Sequence, residues 1–297
     1  MADLEPIAES TGAPSPDVPI PEVSEIADDV LADIAGGKPA PTDEEPTTWP
    51  LISFKHVSMW FGERKVLDDV SFSVNRGETL CILGRSGVGK SVALRILLGF
   101  LKPQVGSIRL DGQEINAYTE EQMQEVRKRV TMVFQNGALF DSLTVRENVA
   151  FPLRERGGQE EDQIQQVVDR LLGLVGAEDV PDALPASLST GRRRAVAIAR
   201  ALASQPEIVL YDEPTTMVDP IIARRLGGLI QRLKQQLGFT SIIVTHDMRF
   251  AERLANSVLF LHEGHSAFFG SLKDFMASPD PNIQQFLTLD AYVLPSV

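Results

Sequence analysis

The sequence predicts an α/β fold built on a mostly parallel sheet, and three observations carry that prediction. Apolar strand-like runs and amphipathic helical stretches alternate along the chain, an order that favours parallel strands joined by helices. Between the apolar run Thr79-Leu80-Cys81-Ile82-Leu83 and a helical stretch at 92–98 lies Gly84-Arg85-Ser86-Gly87-Val88-Gly89-Lys90-Ser91, which fits G-x-x-x-x-G-K-[ST] at every fixed position. From residue 143 to 202 the pattern turns mainly helical, with Ile164, Val167, Val168, Leu171, Leu172 and Val175 on one stripe, so a helical subdomain is expected inside the order of the sheet.

Taken in order, the elements begin after a tail. Residues 1–49 are rich in Pro, Ala, Asp and Glu and carry twelve carboxylates against Lys38 alone, a net of −11 out of the chain's −13, which leaves −2 for the rest. Such a segment buries too little to offset the entropy of ordering, and it is expected to be a disordered acidic tail. Within it Val23, Ile26, Val30 and Ile34 recur at helical spacing; a partner-docking helix and a transient helix in a solvated tail both fit. Strands are expected at 51–60 and 66–74 around the turn Gly62-Glu63-Arg64-Lys65, as an antiparallel entry sheet. The alternating series then runs strand 79–83, helix 89–100, a strand around Ile108, helix 119–129 and strand 130–135. After the helical region come strands 208–211, 241–245 and 257–261, with helices 221–237 and 247–255 between them. The expected division is a tail at 1–49, one domain at 50–270 with its helical subdomain at about 138–204, and a C-terminal helical extension at 271–297.

Length and composition narrow the function classes. At 297 residues the chain can bury a sizeable core, and its single cysteine, Cys81, excludes an intramolecular disulfide and sits where a core filler would. The near-neutral balance after residue 49 argues against a broad basic face for nucleic acid. No apolar run approaches the roughly 18 to 20 residues of a membrane helix. The start Met-Ala-Asp-Leu-Glu lacks the basic and apolar parts of a secretory signal, so a cytosolic location is expected.

The glycine-rich stretch reads as a cradle for a nucleoside triphosphate. Gly84, Gly87 and Gly89 let the backbone pass through positive φ, so that successive N–H groups from Arg85, Ser86 and Val88 on to Val92 converge on phosphate oxygens. The helix opening at Lys90 turns its positive end to the same anion, Lys90 adds a mobile charge, and Ser91 offers a hydroxyl to Mg²⁺. Ile208-Val209-Leu210-Tyr211 ends in Asp212 and Glu213. Asp212 is expected to hold Mg²⁺, and Glu213 to accept a proton from water attacking the γ-phosphate. Ser189 in Leu188-Ser189-Thr190-Gly191 is a natural N-cap. The Arg192-Arg193-Arg194 run after it opposes the helix dipole, and it reads either as facing an anion or partner or as a solvated basic face.

With these residues in register the chain resembles the ATP-binding cassette ATPases, the nucleotide-binding subunits of ABC transporters, from about residue 51 to 269. The resemblance implies a RecA-like mostly parallel core with an antiparallel β subdomain and an inserted helical subdomain. It makes Phe61 the adenine-stacking aromatic and Gln135 the loop glutamine near Mg²⁺. It makes Ser189 and Gly191 part of the signature, Asp219 the dimer-interface aspartate and His246 the γ-phosphate histidine. It also implies ATP and Mg²⁺ as ligands, a second cassette whose signature closes the site, and a separate membrane permease. The chain would then sit peripherally on the cytoplasmic face of the inner membrane. Thr190 departs from the family pattern by replacing the first signature glycine, and slower or altered hydrolysis is expected from its branched Cβ. Arg192 stands where glutamine is common, and Met217-Val218 replaces a small-residue and leucine pair.

Residues 134–153 and 278–287 look most like the Mla/MCE lipid-transport ATPases, which implies an MCE-domain lipid-binding protein reached through the permease and a permease contact at Leu139 and Phe140. Three rival readings remain: the ATPase of a lipoprotein-releasing or small-solute transporter, a soluble cassette acting on DNA or ribosomes, and a nucleotide-gated module that scarcely hydrolyses. Deletion of residues 1–45 is expected to leave the melting temperature and basal ATPase rate unchanged, as read by thermal denaturation and phosphate release; a large fall in either shows the tail docked on the core.

Overall fold

The computed structural model describes residues 49–292, and the helical spacing at 23–34 lies outside them. The described chain enters through β1 (Ile52–Phe61) and β2 (Arg64–Val74), an antiparallel pair in which Phe61 stands opposite Arg64. Gly62 lies at φ 59°, so the chain reverses in two residues, and both strands run further than a four-residue turn at 62–65 allows. The wholly buried β3 (Thr79–Leu83) leads into α1 (Lys90–Leu97), which stops before Gly99 at φ 72° and so falls short of residue 100.

Next, β4 (Val105–Leu110) and the short β5 (Gln113–Glu114) add antiparallel to the open edge of β1. The strand at Ile108 therefore belongs to the entry sheet, not to the parallel series in which its chain position suggests it. Chain order cannot choose between these, because the partner is set by which edge has unpaired N–H and C=O groups. A capping box between Thr119 and Gln122 starts α2 (Glu120–Arg129), and β6 (Val130–Val133) follows it directly.

Helices α3 (Val145–Arg156), α4 (Glu161–Val175) and α5 (Thr190–Ala203) fill the interval before β7 (Ile208–Asp212). The stripe on α4 is buried at Ile164, Val168, Leu171, Leu172 and Val175, and it packs in one cluster with Val149 and Leu153 of α3 and Val196 and Ile198 of α5. The chain closes with α6 (Pro220–Leu237), β8 (Thr240–Val244), α7 (Met248–Leu254), β9 (Ser257–His262), β10 (His265–Ser271), α8 (Leu272–Met276) and α9 (Pro281–Tyr292).

The described strands join in one sheet, ordered β5-β4-β1-β2-β10-β9-β3-β8-β7-β6. From β9 to β6 every neighbouring pair is parallel. These strands are buried on both faces: Leu80 and Ile82 of β3 point to α1 and the entry sheet, while Cys81 and Leu83 point to the helical layer. β10 is antiparallel to β9 and makes a single parallel pairing, His265 to Asp68, with β2, so it stitches the two parts of the sheet together. Its burial alternates between exposed and half-buried, and that weak apolar signal explains why sequence patterning passed over it.

One buried polar side chain shapes the surface of the helical layer. Asn148 on α3 is fully buried, accepts the Phe140 N–H at 2.8 Å and donates to the carbonyls of Phe140, Leu143 and Thr144 at 3.0–3.1 Å. It holds the loop that presents Phe140 beside Phe151, whose ring lies 4.8 Å away. Asn148→Ala leaves these backbone groups unpaired and is expected to lower the unfolding free energy by about 2 kcal/mol in urea titration. Amide exchange at residues 140–143 should quicken beyond that global loss.

Candidate active site

The parallel sheet brings the candidate residues together through its strand order. β3, β8 and β7 are neighbours running the same way, and β6 lies beyond β7, so the segments leaving their C-terminal ends emerge side by side. Those segments carry the glycine-rich loop, His246, Asp212 with Glu213, and Gln135. Together they line a cleft of about 610 Å³ in which Lys90, Ser91, Gln135, Glu213 and His246 all take part.

The loop's backbone explains its glycines. Gly84 lies at φ 146°, and a Cβ there would stand 2.4 Å from the Leu261 carbonyl oxygen of β9. Gly89 lies at φ 104° as the N-cap of α1, and its Cβ would stand 2.7 Å from the Val66 carbonyl oxygen of β2. Gly87, at φ 80°, has no atom of the described residues within 4 Å of that position, so a side chain there would project beside the cleft it lines.

Lys90 is 5% exposed; its ammonium donates to the carbonyls of Gly84 at 2.8 Å and Arg85 at 3.1 Å, and pairs with Glu213 Oε1 at 3.1 Å. On the other carboxylate oxygen, Glu213 Oε2 lies 2.8 Å from His246 Nδ1 and accepts from Thr216 Oγ1 at 3.2 Å. Burial alone would push the Glu213 carboxyl up, but the hydrogen bond from His246 and the Lys90 charge outweigh it and hold the group below its ordinary value. The same bond to Glu213 raises the His246 imidazole. Asp212 moves the opposite way: burial first, and then the neighbouring Glu213 charge, raise it despite a 2.6 Å hydrogen bond donated by Ser91 Oγ. Ser91 and Asp212 thus form a hydroxyl–carboxylate pair of hard oxygen donors, with the Gln135 amide in the same cleft, a set that fits Mg²⁺ shared with phosphate.

Other sequence candidates lie elsewhere. Phe61 does not line the cleft; it is 48% exposed at the hairpin end, opposite Arg64, which does line it with Val66. Ser189 caps α5 by accepting from the Arg192 N–H at 3.4 Å, and Gly191 faces Ile222 of α6. Asp219 is the N-cap of α6, accepting from Ile221 and Ile222. None of these three reaches the cleft of its own chain. The arginine run splits: Arg192 pairs with Asp179 at 2.9 Å, Arg193 donates to the Leu188 carbonyl, and Arg194 is buried, so the run is not a solvated basic face. Sequence reasoning missed Arg64, Val66, Thr216 and Phe286 of α9 as cleft residues; only Thr216, three places after Glu213, had a positional cue.

The family profile described as "ABC transporter" matches residues 67–216. The chain belongs to the ABC transporter family. It is 37% identical over 237 residues to the intermembrane phospholipid transport system ATP-binding protein MlaF of Escherichia coli K12, covering 80% of this chain and 88% of that one. It is 38% identical over 259 residues to the methionine import ATP-binding protein MetN of Brucella abortus, covering 86% of this chain and 70% of that one. Among solved structures, the dimeric ATP-binding cassette MJ0796 in a post-hydrolysis state with ADP and Pi superposes with a TM-score of 0.68 at 30% identity, over 74% of this chain and 98% of the other. The cassette cbiO1 of Clostridium perfringens gives a TM-score of 0.72 at 28% identity, over 83% and 96%. The cassette described here is therefore an ABC transporter ATPase with an ATP-binding core.

In this cassette the His246 imidazole is expected to titrate above the ordinary value of about 6.5 in an NMR pH series. Glu213→Gln removes the charge that raises it, so the midpoint should fall; an unchanged midpoint contradicts the pairing. The pair stabilises the protonated imidazole, so its contribution to folding is full below the ordinary histidine value and fades as pH rises through the raised one.

Proposed function

We propose that this cassette is the ATP-hydrolysing subunit of a lipid transporter, working as a pair of identical copies under an integral membrane permease on the cytoplasmic face of the inner membrane. The observation that carries the hydrolytic reading is the Glu213 carboxylate, held ionised in the cleft between Lys90 and His246. When bound, Mg²⁺ supplies charge neutralisation at the phosphates, and Ser91, Asp212 and Gln135 are the residues to hold it. Lys90 carries a mobile ammonium from the Gly84 and Arg85 carbonyls to the phosphates. That movement takes its charge off Glu213 Oε1 and makes the carboxylate a better proton acceptor. Glu213 then takes a proton from the attacking water as its oxygen bonds to the γ-phosphorus and the bond to the bridging oxygen breaks, giving ADP and phosphate. His246 keeps the carboxylate aimed and offers its other ring nitrogen to the γ-phosphate.

Ser189 and Gly191 lie outside their own chain's cleft, at the start of α5 where Thr190 is exposed, and this supports a site closed by the signature of a second copy. The dimeric relatives among solved cassettes support the same assembly. Among the described residues no helix is long and apolar enough to cross a membrane, consistent with a permease on another chain. For its contact surface, Phe140, Phe151 and Phe134 are exposed, whereas Leu139 packs on the helical cluster, so the apolar anchor is Phe140 with Phe151. The 88% coverage of MlaF favours lipid as cargo and an MCE-domain protein as distal partner. A methionine-type solute transporter is the second reading, favoured by the identity to MetN.

The test is recovery of the full-length Glu213→Gln chain from membranes in ATP and Mg²⁺, followed by identification of what accompanies it. A dimer with a permease, an MCE-domain protein and co-purifying phospholipid is expected. Phe140→Ser with Phe151→Ser should lower permease recovery about tenfold at unchanged ATP affinity, as for lost apolar anchors at an interface. Recovery with a solute permease and binding protein instead overturns the lipid reading and leaves the ATPase intact.

A further inference from the structure

Arg194 has no evident reason to be where it is on grounds of stability. It is 5% exposed on α5, its Nη1 has no hydrogen-bond partner among the described residues, and the neighbouring Arg193 adds like-charge repulsion. Burial depresses its guanidinium, and no carboxylate among the described residues offsets that. Its one hydrogen bond among the described residues runs from Nη2 to the Thr216 carbonyl at 3.1 Å.

That carbonyl belongs to the loop that carries Glu213. The loop holds two non-glycine residues in the left-handed region, Glu213 at φ 49° and Met217 at φ 61°, a conformation that persists only where surrounding contacts impose it. The Glu213 N–H is tied to the Val244 carbonyl at 2.9 Å, whereas the bonds from Thr216 and Val218 N–H stay within the loop. Arg194 reaches the far side of the loop from a different element. Thr216 then passes the constraint on, because its hydroxyl donates to Glu213 Oε2 at 3.2 Å.

We propose that Arg194 is a positioning residue for hydrolysis: a strut from the signature helix that fixes Thr216 and, through its hydroxyl, the carboxylate of Glu213. The proposal rests on Glu213 being the proton acceptor. It accounts for a buried cation retained against stability, since the loop geometry needs a donor there and α5 supplies one. The strut also joins the helix capped by Ser189 to the residue that activates water.

The experiment compares full-length Arg194→Met, Arg194→Lys, Thr216→Val and Glu213→Gln. Methionine keeps much of the buried volume and removes the charge, so Arg194→Met is expected to melt at or above the wild-type temperature. Its kcat should nevertheless fall about tenfold or more while ATP affinity stays within about twofold, because a misplaced base affects the reaction and not the binding. Lysine, able to donate to the same carbonyl, should recover part of kcat. Thr216→Val should lose kcat in the same direction, and in both Arg194→Met and Thr216→Val the NMR midpoint of His246 should move toward its ordinary value. A folded Arg194→Met at the wild-type kcat overturns the strut. So does a variant that fails to fold or loses activity only in step with its folded fraction, and so does a Thr216→Val that hydrolyses normally. Glu213→Gln separates the two levels: wild-type turnover there refutes the base itself, whereas a dead Glu213→Gln beside an active Arg194→Met refutes only the strut.

Discussion

The site depends on how closely the backbone of the glycine-rich loop approaches the backbone of the sheet. Gly84 leaves no room for a Cβ against the Leu261 carbonyl, and Gly89 leaves none against the Val66 carbonyl and the Leu67 side chain. The first contact is with β9 in the parallel part of the sheet, and the second is with β2 in the entry part. The loop is therefore gripped between the two parts, which β10 joins by pairing with both. A substituent at either glycine must push one part away, and the start of α1, with Lys90 and Ser91, moves with it.

Once the loop is placed, the charges follow from proximity. Lys90 is buried at a cost that two carbonyls and Glu213 offset. Adjacent carboxylates then part company: Asp212, to which the Ser91 hydroxyl donates, is raised by burial, while Glu213, with His246 and Lys90 on its two oxygens, is lowered. Neighbouring residues of one strand end acquire different chemistry because the pleat and the left-handed turn at Glu213 aim them at different partners. The function proposed above uses that difference, placing one beside a cation and giving the other the proton.

The features legible from sequence are those whose cause is local. The G-x-x-x-x-G-K-[ST] stretch, the apolar strands before it and before Asp212, the stripe on α4 and the Ser189 cap each follow from a few consecutive residues. The misplaced strand at Ile108, the unseen β10 and the exposed Phe61 have a different origin. Each depends on which edge or cleft lies nearby in space. Leu139 and Phe140, adjacent and both apolar, divide into a packed residue and an exposed one only because Asn148 fixes the loop.

Local sequence suffices to mark the ATPase core: the glycine-rich loop between an apolar strand and a helix, the strands that are apolar throughout, and the candidate residues for phosphate, metal and a proton. Short-range sterics and periodicity suffice for that, since each acts within one element. The packed fold was needed to show that Glu213 is shared between Lys90 and His246, and that Arg194 lies buried against the Thr216 carbonyl while its neighbour Arg192 pairs with Asp179. Those outcomes depend on strand order and helix packing, which bring residues 13 to 123 positions apart within hydrogen-bonding distance, and no local pattern encodes a partner that far along the chain.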